Sequence, residues 1–241
     1  MGGSTNSTFL ALIPKEANPS SIKRYKSISL CNASYKIFSK VLSLRLEAII
    51  PTLIPPNQGG FISGCHISDN ILLVQAAIHF STKRGEAGMT IKLDLANAFD
   101  RLRHAFILLV LKKFGFPSIF INQVQAYINS PWISPLINGR PIEFFKASRG
   151  IRQGCPLSPF LYILVADSLS RRLIRLQEEG FLPGLSFRNG VQPINHALFA
   201  DDTILLGIAA PQIARNFLQP LNLFLRSSGS SANLDKCQLY G

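Results

Sequence analysis

Apolar positions along this chain switch between a period of two and a helical period, so it reads as strands and helices in turn. Thr8 to Pro14 has the look of an opening strand. Over 34–50, Ile37, Val41, Leu44 and Ala48 recur at helical spacing, with Lys40, Ser43 and Glu47 on other faces. Pro51, Pro55 and Pro56 end that helix. A second helix follows Ser68 and runs through Ile71, Val74 and Ile78.

From Met89 to Leu95 the pattern alternates, Met89, Ile91, Leu93 and Leu95 against Thr90, Lys92 and Asp94. That predicts a half-buried strand with a carboxylate near its exit. Helices are expected over about 101–113 and 118–129, with Gly115 and Pro117 between them. Trp132–Ile137 and Ile142–Ala147 flank Asn138-Gly139, a hairpin signal. Ser158 and Pro159 read as N-cap and first helical residue of a helix running to Glu179, with Gly180 as its left-handed stop. Residues 191–208 are apolar on both sides of Ala200-Asp201-Asp202, which suggests two strands joined by an acidic turn. A last helix begins near Pro211 and ends before Ser227-Ser228-Gly229. Interleaved strands and helices without a strict βα repeat give an α+β class.

Composition bounds the function. At 241 residues, 47% hydrophobic and 16% charged, the chain can bury a sizeable core and is not disordered. Twenty-five Lys+Arg against 13 Asp+Glu give a net charge of +12, which favours a polyanionic partner. Phe114–Asn138 is free of charge but broken by Pro117, Pro131 and Pro135, so no membrane partner is expected. Cys31, Cys65, Cys155 and Cys237 lie far apart along the chain, form no zinc-type pair, and read as reduced intracellular thiols. The four histidines form no usable spacing and read as structural or surface residues.

The sharpest chemical feature is FADD, Phe199 to Asp202. Adjacent carboxylates repel unless a cation or a proton offsets them. By themselves they fit either a solvated turn or a divalent-metal site. Asp94, at the exit of another strand, tips the reading towards metal, because three carboxylates could converge at one sheet end. Such hard oxygen donors suit Mg²⁺ bridging substrate phosphates. Asp100 competes, but at a helix start it reads better as a partner for the helix dipole.

A set of motifs then occurs in order: ALIPK at 11–15, SISLCNASYKIFSKVL at 27–42, QGGFISGCHISDNI at 58–71, KLDLANAFDR at 92–101, SRGIRQGCPLSPFLY at 148–162, FADD at 199–202 and SGSSANLDK at 228–236. With them the chain resembles the reverse transcriptases of non-LTR (LINE-like) retrotransposons, especially those of plants, over nearly its whole length. The resemblance implies a right-hand polymerase, fingers over about 1–88 and palm over about 89–241. The palm would hold a small antiparallel sheet packed on helices, and the thumb would be absent. It implies RNA-directed DNA polymerisation, with an RNA template, a DNA primer and a dNTP as partners and two Mg²⁺ ions as cofactors, Mn²⁺ substituting. A nuclear location follows from the same likeness.

Residue by residue, the resemblance makes Asp94, Asp201 and Asp202 the metal ligands, with the Leu95 carbonyl beside them. Phe99 would exclude a 2′-hydroxyl. Arg152, Gln153 and Gly154 would line the nascent base pair, and Lys236 would protonate or neutralise the leaving pyrophosphate. Lys26 and Lys36, with Lys23 and Arg24, would contact phosphates. The chain departs from the plant pattern at Lys26-Ser27, Cys65, Asn97 and Cys155. Two rivals stand beside this reading: a silent retrotransposon remnant that only binds nucleic acid, and a two-metal nuclease, which leaves Phe99 and the RQG positions unexplained.

Overall fold

In chain order the elements are β1 (Ser7–Pro14), β2 (Tyr25–Cys31), α1 (Ala33–Glu47), α2 (Ile50–Leu53), α3 (Ile67–Lys83), β3 (Gly88–Leu93), α4 (Ala98–Arg101), α5 (His104–Lys113), α6 (Ser118–Ile128), β4 (Trp132–Ile137), β5 (Arg140–Pro141), β6 (Phe145–Lys146), α7 (Ser158–Glu178), β7 (His196–Phe199), β8 (Asp202–Ile208), α8 (Pro211–Ser228) and β9 (Gln238–Tyr240). They come from a computed structural model that describes residues 7–129, 131–186 and 191–240, the side chain of Lys23 excepted. The chain divides into two compact units, residues 1–48 with 99–161 and residues 49–98 with 162–241.

In the first unit, β1 pairs antiparallel with β2, from Thr8 opposite Cys31 to Pro14 opposite Tyr25. Its other edge pairs in parallel with β4, Ser7 opposite Trp132 through Leu10 opposite Pro135. The expected hairpin turn is present, with Asn138 at φ 50° and Gly139 at φ 75°. Its return arm is not the expected continuous strand over Ile142–Ala147. It is split into β5 and β6, which pair separately with β4. Pro141 lacks an N–H, which limits what that arm can donate to a ladder.

Helix α1 starts where expected, with Asn32 accepting from the Tyr35 N–H at 2.9 Å. Its inward face corrects the simple periodic picture. Ile37, Val41 and Leu44 are exposed, while Tyr35, Ser39, Leu42, Ser43 and Leu46 are buried. Polar residues can face inwards here because Ser39 and Ser43 donate their hydroxyls to the carbonyls of Lys36 and Lys40 on their own helix.

The second unit is built on the antiparallel sheet β7-β8-β3-β9. β3 and β8 pair from Gly88 opposite Ile208 to Leu93 opposite Thr203. Asn57–Gly59 lie along the free edge of β7, bridging it at Gln58 and Leu198. Val74 and Ala77 of α3 pack with Leu185, Ala197 and Leu206. Helix α8 buries Phe217, Leu221 and Phe224. Each such large side chain contributes about 1.5–3 kcal/mol on burial. Helix α7 ends at the expected left-handed glycine, Gly180 at φ 80°, but it starts one residue early: Ser158 is its first helical residue, not its N-cap. No helix among the described residues is long and apolar enough to cross a membrane.

Candidate functional site

The acidic end of the second unit follows from strand register. The β3–β8 ladder closes with Leu93 opposite Thr203, and one residue further on each strand lie Asp94 and Asp202. β7 and β8 meet at Phe199 opposite Asp202, so Ala200 and Asp201 form the turn between them. Ala200 is buried and left-handed, φ 56°, whereas Asp201 and Asp202 are exposed.

Asp94 is half-buried and held from one side. The Asn233 side-chain amide donates to its Oδ2 at 3.0 Å, and the Asn233 backbone N–H donates to its carbonyl at 2.9 Å. Leu95 bridges to Ala232, and the Ala96 N–H donates to Ser231 at 2.8 Å. Lys236 is exposed, with its backbone N–H bonded to the Asn233 carbonyl at 3.0 Å. Beside the acids, Tyr162 is buried, and its phenol is pushed above the ordinary range by burial first and then by the charges of Asp201 and Asp202.

The donor chemistry suits a hard divalent ion, since the residues Asp94, Asp201 and Asp202 lie at one end of one sheet. Their side chains do not form a closed cage. Among the described residues no three His, Cys, Asp or Glu groups are close enough to hold a metal.

The nucleotide-pocket candidates sit in the first unit and form a network of their own. The Phe99 carbonyl accepts from the Ile151 N–H at 2.9 Å, tying Phe99 to the RQG loop. Gln153 donates its side-chain amide to Asp100 Oδ1 at 3.1 Å, and its carbonyl accepts from the Ser29 N–H at 3.0 Å. Asp100 therefore anchors this loop, and burial raises its pKa. Gly154 is left-handed at φ 89° and exposed. Arg152 turns inwards: it is buried, with its guanidinium 3.8 Å from the ring centre of Tyr35. Tyr35 in turn stacks on Tyr127 at 4.7 Å. Lys26 and Lys36 are exposed, Arg24 pairs with Glu16 at 3.1 Å, and the Lys23 side chain lies outside the described residues.

Two cysteines that are far apart in sequence meet in space. The sulfurs of Cys31 and Cys155 approach to 2.9 Å in the interior of the first unit, both as free thiols. Sequence reasoning also missed Asn233, Tyr162 and the 57–60 segment; apart from Asn57 they lie within the ordered motifs, but only the fold places them near the acidic turn. Ser170, His196 and Asn195 form a hydrogen-bonded chain, 2.7 Å and 2.6 Å per link, that resembles a nucleophile relay. All three are fully buried, so no substrate can reach them and the chain is structural.

The fold itself is that of a right-hand polymerase. A telomerase from Candida albicans, solved with a fragment of telomeric RNA, superposes on 98% of this chain with a TM-score of 0.67 at 13% identity, using 43% of its own length. An apo telomerase from Candida tropicalis superposes on 100% of the chain with the same score at 12% identity, using 51% of its own length. A family model described as reverse transcriptase (RNA-dependent DNA polymerase) matches residues 13–241. The chain is 32% identical over 230 residues, 95% of its length, to the Pol polyprotein of the type-2 retrotransposable element R2DM of Drosophila melanogaster. It is also 32% identical over 197 residues, 82% of its length, to a transposon TX1 protein of Xenopus laevis. This chain belongs to the reverse transcriptase family, among the domains of non-LTR retrotransposons. It spans 21% of the Drosophila polyprotein and 15% of the Xenopus protein. Reverse transcriptase domains generally use divalent metal ions.

Proposed function

We propose that this chain is the catalytic core of an RNA-directed DNA polymerase that joins a dNTP to a primer 3′-hydroxyl on an RNA template. The observation that carries the reading is the β3–β8 ladder, which closes at Leu93 opposite Thr203 and so leaves Asp94 and Asp202 at the same end of the sheet, with Asp201 in the adjoining turn. In this reading Asp94, Asp201 and Asp202, with the Leu95 carbonyl, would hold two Mg²⁺ ions, for which Mn²⁺ could substitute. Bound there, such ions would supply Lewis-acid activation of the attacking oxygen and charge relief on the leaving one. Asn233 keeps Asp94 oriented. Phe99 excludes a ribose 2′-hydroxyl, and Gln153 and Gly154 flank the incoming base, with Arg152 bracing the loop from inside. Lys26 and Lys36 engage phosphates, and Lys236 donates a proton or charge to the pyrophosphate.

We assign residues about 1–88 mostly to fingers and about 89–241 mostly to palm. We place the chain in a plant element that acts in the nucleus. A 53% identity over 68 residues to an uncharacterized mitochondrial protein of Arabidopsis thaliana supports the plant source. The cellular site is checked by imaging a tagged chain.

Primer extension on an RNA template tests the activity. Asp201→Asn should lower incorporation about 100-fold or more, the loss of several kcal/mol of charge stabilisation. Equal incorporation by both chains would overturn the mechanism. Binding of an RNA–DNA hybrid with no incorporation by the wild-type chain would favour a silent remnant instead.

A further inference from the structure

The segment Asn57–Gly60 packs against β7 by backbone bonds: the Gly59 N–H donates to Leu198 at 2.9 Å, and the Leu198 N–H donates to Asn57 at 2.7 Å. Within it, the Gln58 side chain is fully buried. Its Oε1 accepts two backbone N–H groups, that of Gly60 at 2.8 Å and that of Ala200 at 3.0 Å. Both partners donate, so the oxygen end of this amide is fixed by its surroundings. The other end, Nε2, is buried with no hydrogen-bond partner among the described residues. A stranded buried donor costs stability. This glutamine is therefore a poor choice for packing alone, and its oxygen must earn its place through the two bonds it accepts.

The second of those bonds falls on an unfavourable conformation. Ala200 is left-handed at φ 56°, a region alanine enters against a steric penalty. It directly precedes Asp201 and Asp202. Gly60 presses on the same point: a Cβ there would lie 2.2 Å from the Ala200 nitrogen, so only glycine allows the two backbones to meet.

We propose that Gln58 is a positioning residue for the acidic turn, its Oε1 holding the Ala200 N–H so that the left-handed turn persists and Asp201 and Asp202 keep their direction. Gly60 completes the hold by giving the backbone room. The consequence for metal binding rests on the function proposed above; the hold on Ala200 does not.

Amide hydrogen exchange of the full 241-residue chain tests the hold without reference to activity. The Ala200 N–H should be protected in the wild-type chain. Exchange there at the rate of a free peptide would overturn the proposal even if every variant failed to fold. In Gln58→Leu the Ala200 amide should exchange at least about tenfold faster while the β3 amides stay protected. Gln58→Glu, which still presents an acceptor oxygen, should keep most of the protection. Unchanged Ala200 exchange in Gln58→Leu would overturn the proposal. Gly60→Ala should release Ala200 as well.

Calorimetric titration with Mn²⁺ then reads the acids. Affinity should fall about tenfold or more in Gln58→Leu. It should recover partly in Gln58→Leu with Ala200→Gly, because glycine holds a positive φ unaided. No Mn²⁺ binding by a wild-type chain with a protected Ala200 would support the hold and overturn the metal reading.

Discussion

Asp94 shows how much a single side chain owes to its neighbours. Its Oδ2 accepts from Asn233, whose own backbone N–H returns to the Asp94 carbonyl. Removing that amide frees the carboxylate to rotate, so Asn233→Ala should weaken Mn²⁺ binding by about 10–100-fold. A titration followed by calorimetry checks it, with circular dichroism confirming the fold.

His196 gives a pH prediction. Burial holds its pKa down, from 6.5 to about 4. The unfolded chain binds this proton below about pH 6.5 and the folded chain does not, so stability rises with pH through that window and is lost as pH falls. The contribution lost between neutral pH and pH 4 is on the order of 3 kcal/mol. Burial raises the pKa of Asp100 and Asp167, which work in the opposite direction. The His196 part is isolated by comparison with His196→Gln, whose urea midpoint should fall less between pH 7 and pH 4 than that of the wild-type chain. Asp94, Asp201 and Asp202 stood out as candidates at this scale because acids are scarce in a basic chain. The orienting Asn233 was not, since an asparagine near a lysine carries no signal until a fold brings it to a carboxylate.

At the scale of elements, local pattern predicted most helices and strands because each carries its own periodicity and caps. It missed β2, which runs into the SISLCNASYKIFSKVL motif, and β9, which is only Gln238–Tyr240. It could not foresee that β1 pairs in parallel with β4, because pairing depends on distant partners. The inward face of α1 was illegible for a related reason: buried Ser39 and Ser43 satisfy themselves on their own helix, so polarity did not mark the outside. The loop leading to the RQG residues is set by a close approach. Gly150 has φ 88°, and a Cβ there would lie 2.6 Å from the Asp100 carbonyl oxygen. Gly150→Ala should therefore destabilise the chain by about 1–3 kcal/mol, read as a lower urea midpoint at unchanged slope. It should also disturb the Asp100–Gln153 bond, which ties that loop down.

For the whole molecule the governing quantity is charge. A net +12 favours nucleic acid through release of counterions. Binding of an RNA–DNA hybrid should weaken as salt rises, with a log–log slope of roughly −0.7 to −0.9 for each phosphate engaged. Filter binding across a salt series measures it, and a flat response would remove the polyanion reading. Arg24, Arg84 and Arg171 are each tied to an acid, so the net charge overstates how many cations are free to engage phosphate.

What the sequence determined alone is the list of chemical parts and their order: a carboxylate at a strand exit, a glycine-bearing RQG loop before a long helix, an acidic turn between apolar strands. These are local, and residue type with spacing is enough to specify them. Tertiary structure decided which parts meet. Only the β3–β8 register brings Asp94 to the end of the sheet where Asp202 lies, and only the 57–60 segment lying on β7 brings Gln58 to Ala200. Register and edge pairing are contests among distant segments for the same hydrogen bonds, and no stretch of chain read by itself contains their outcome.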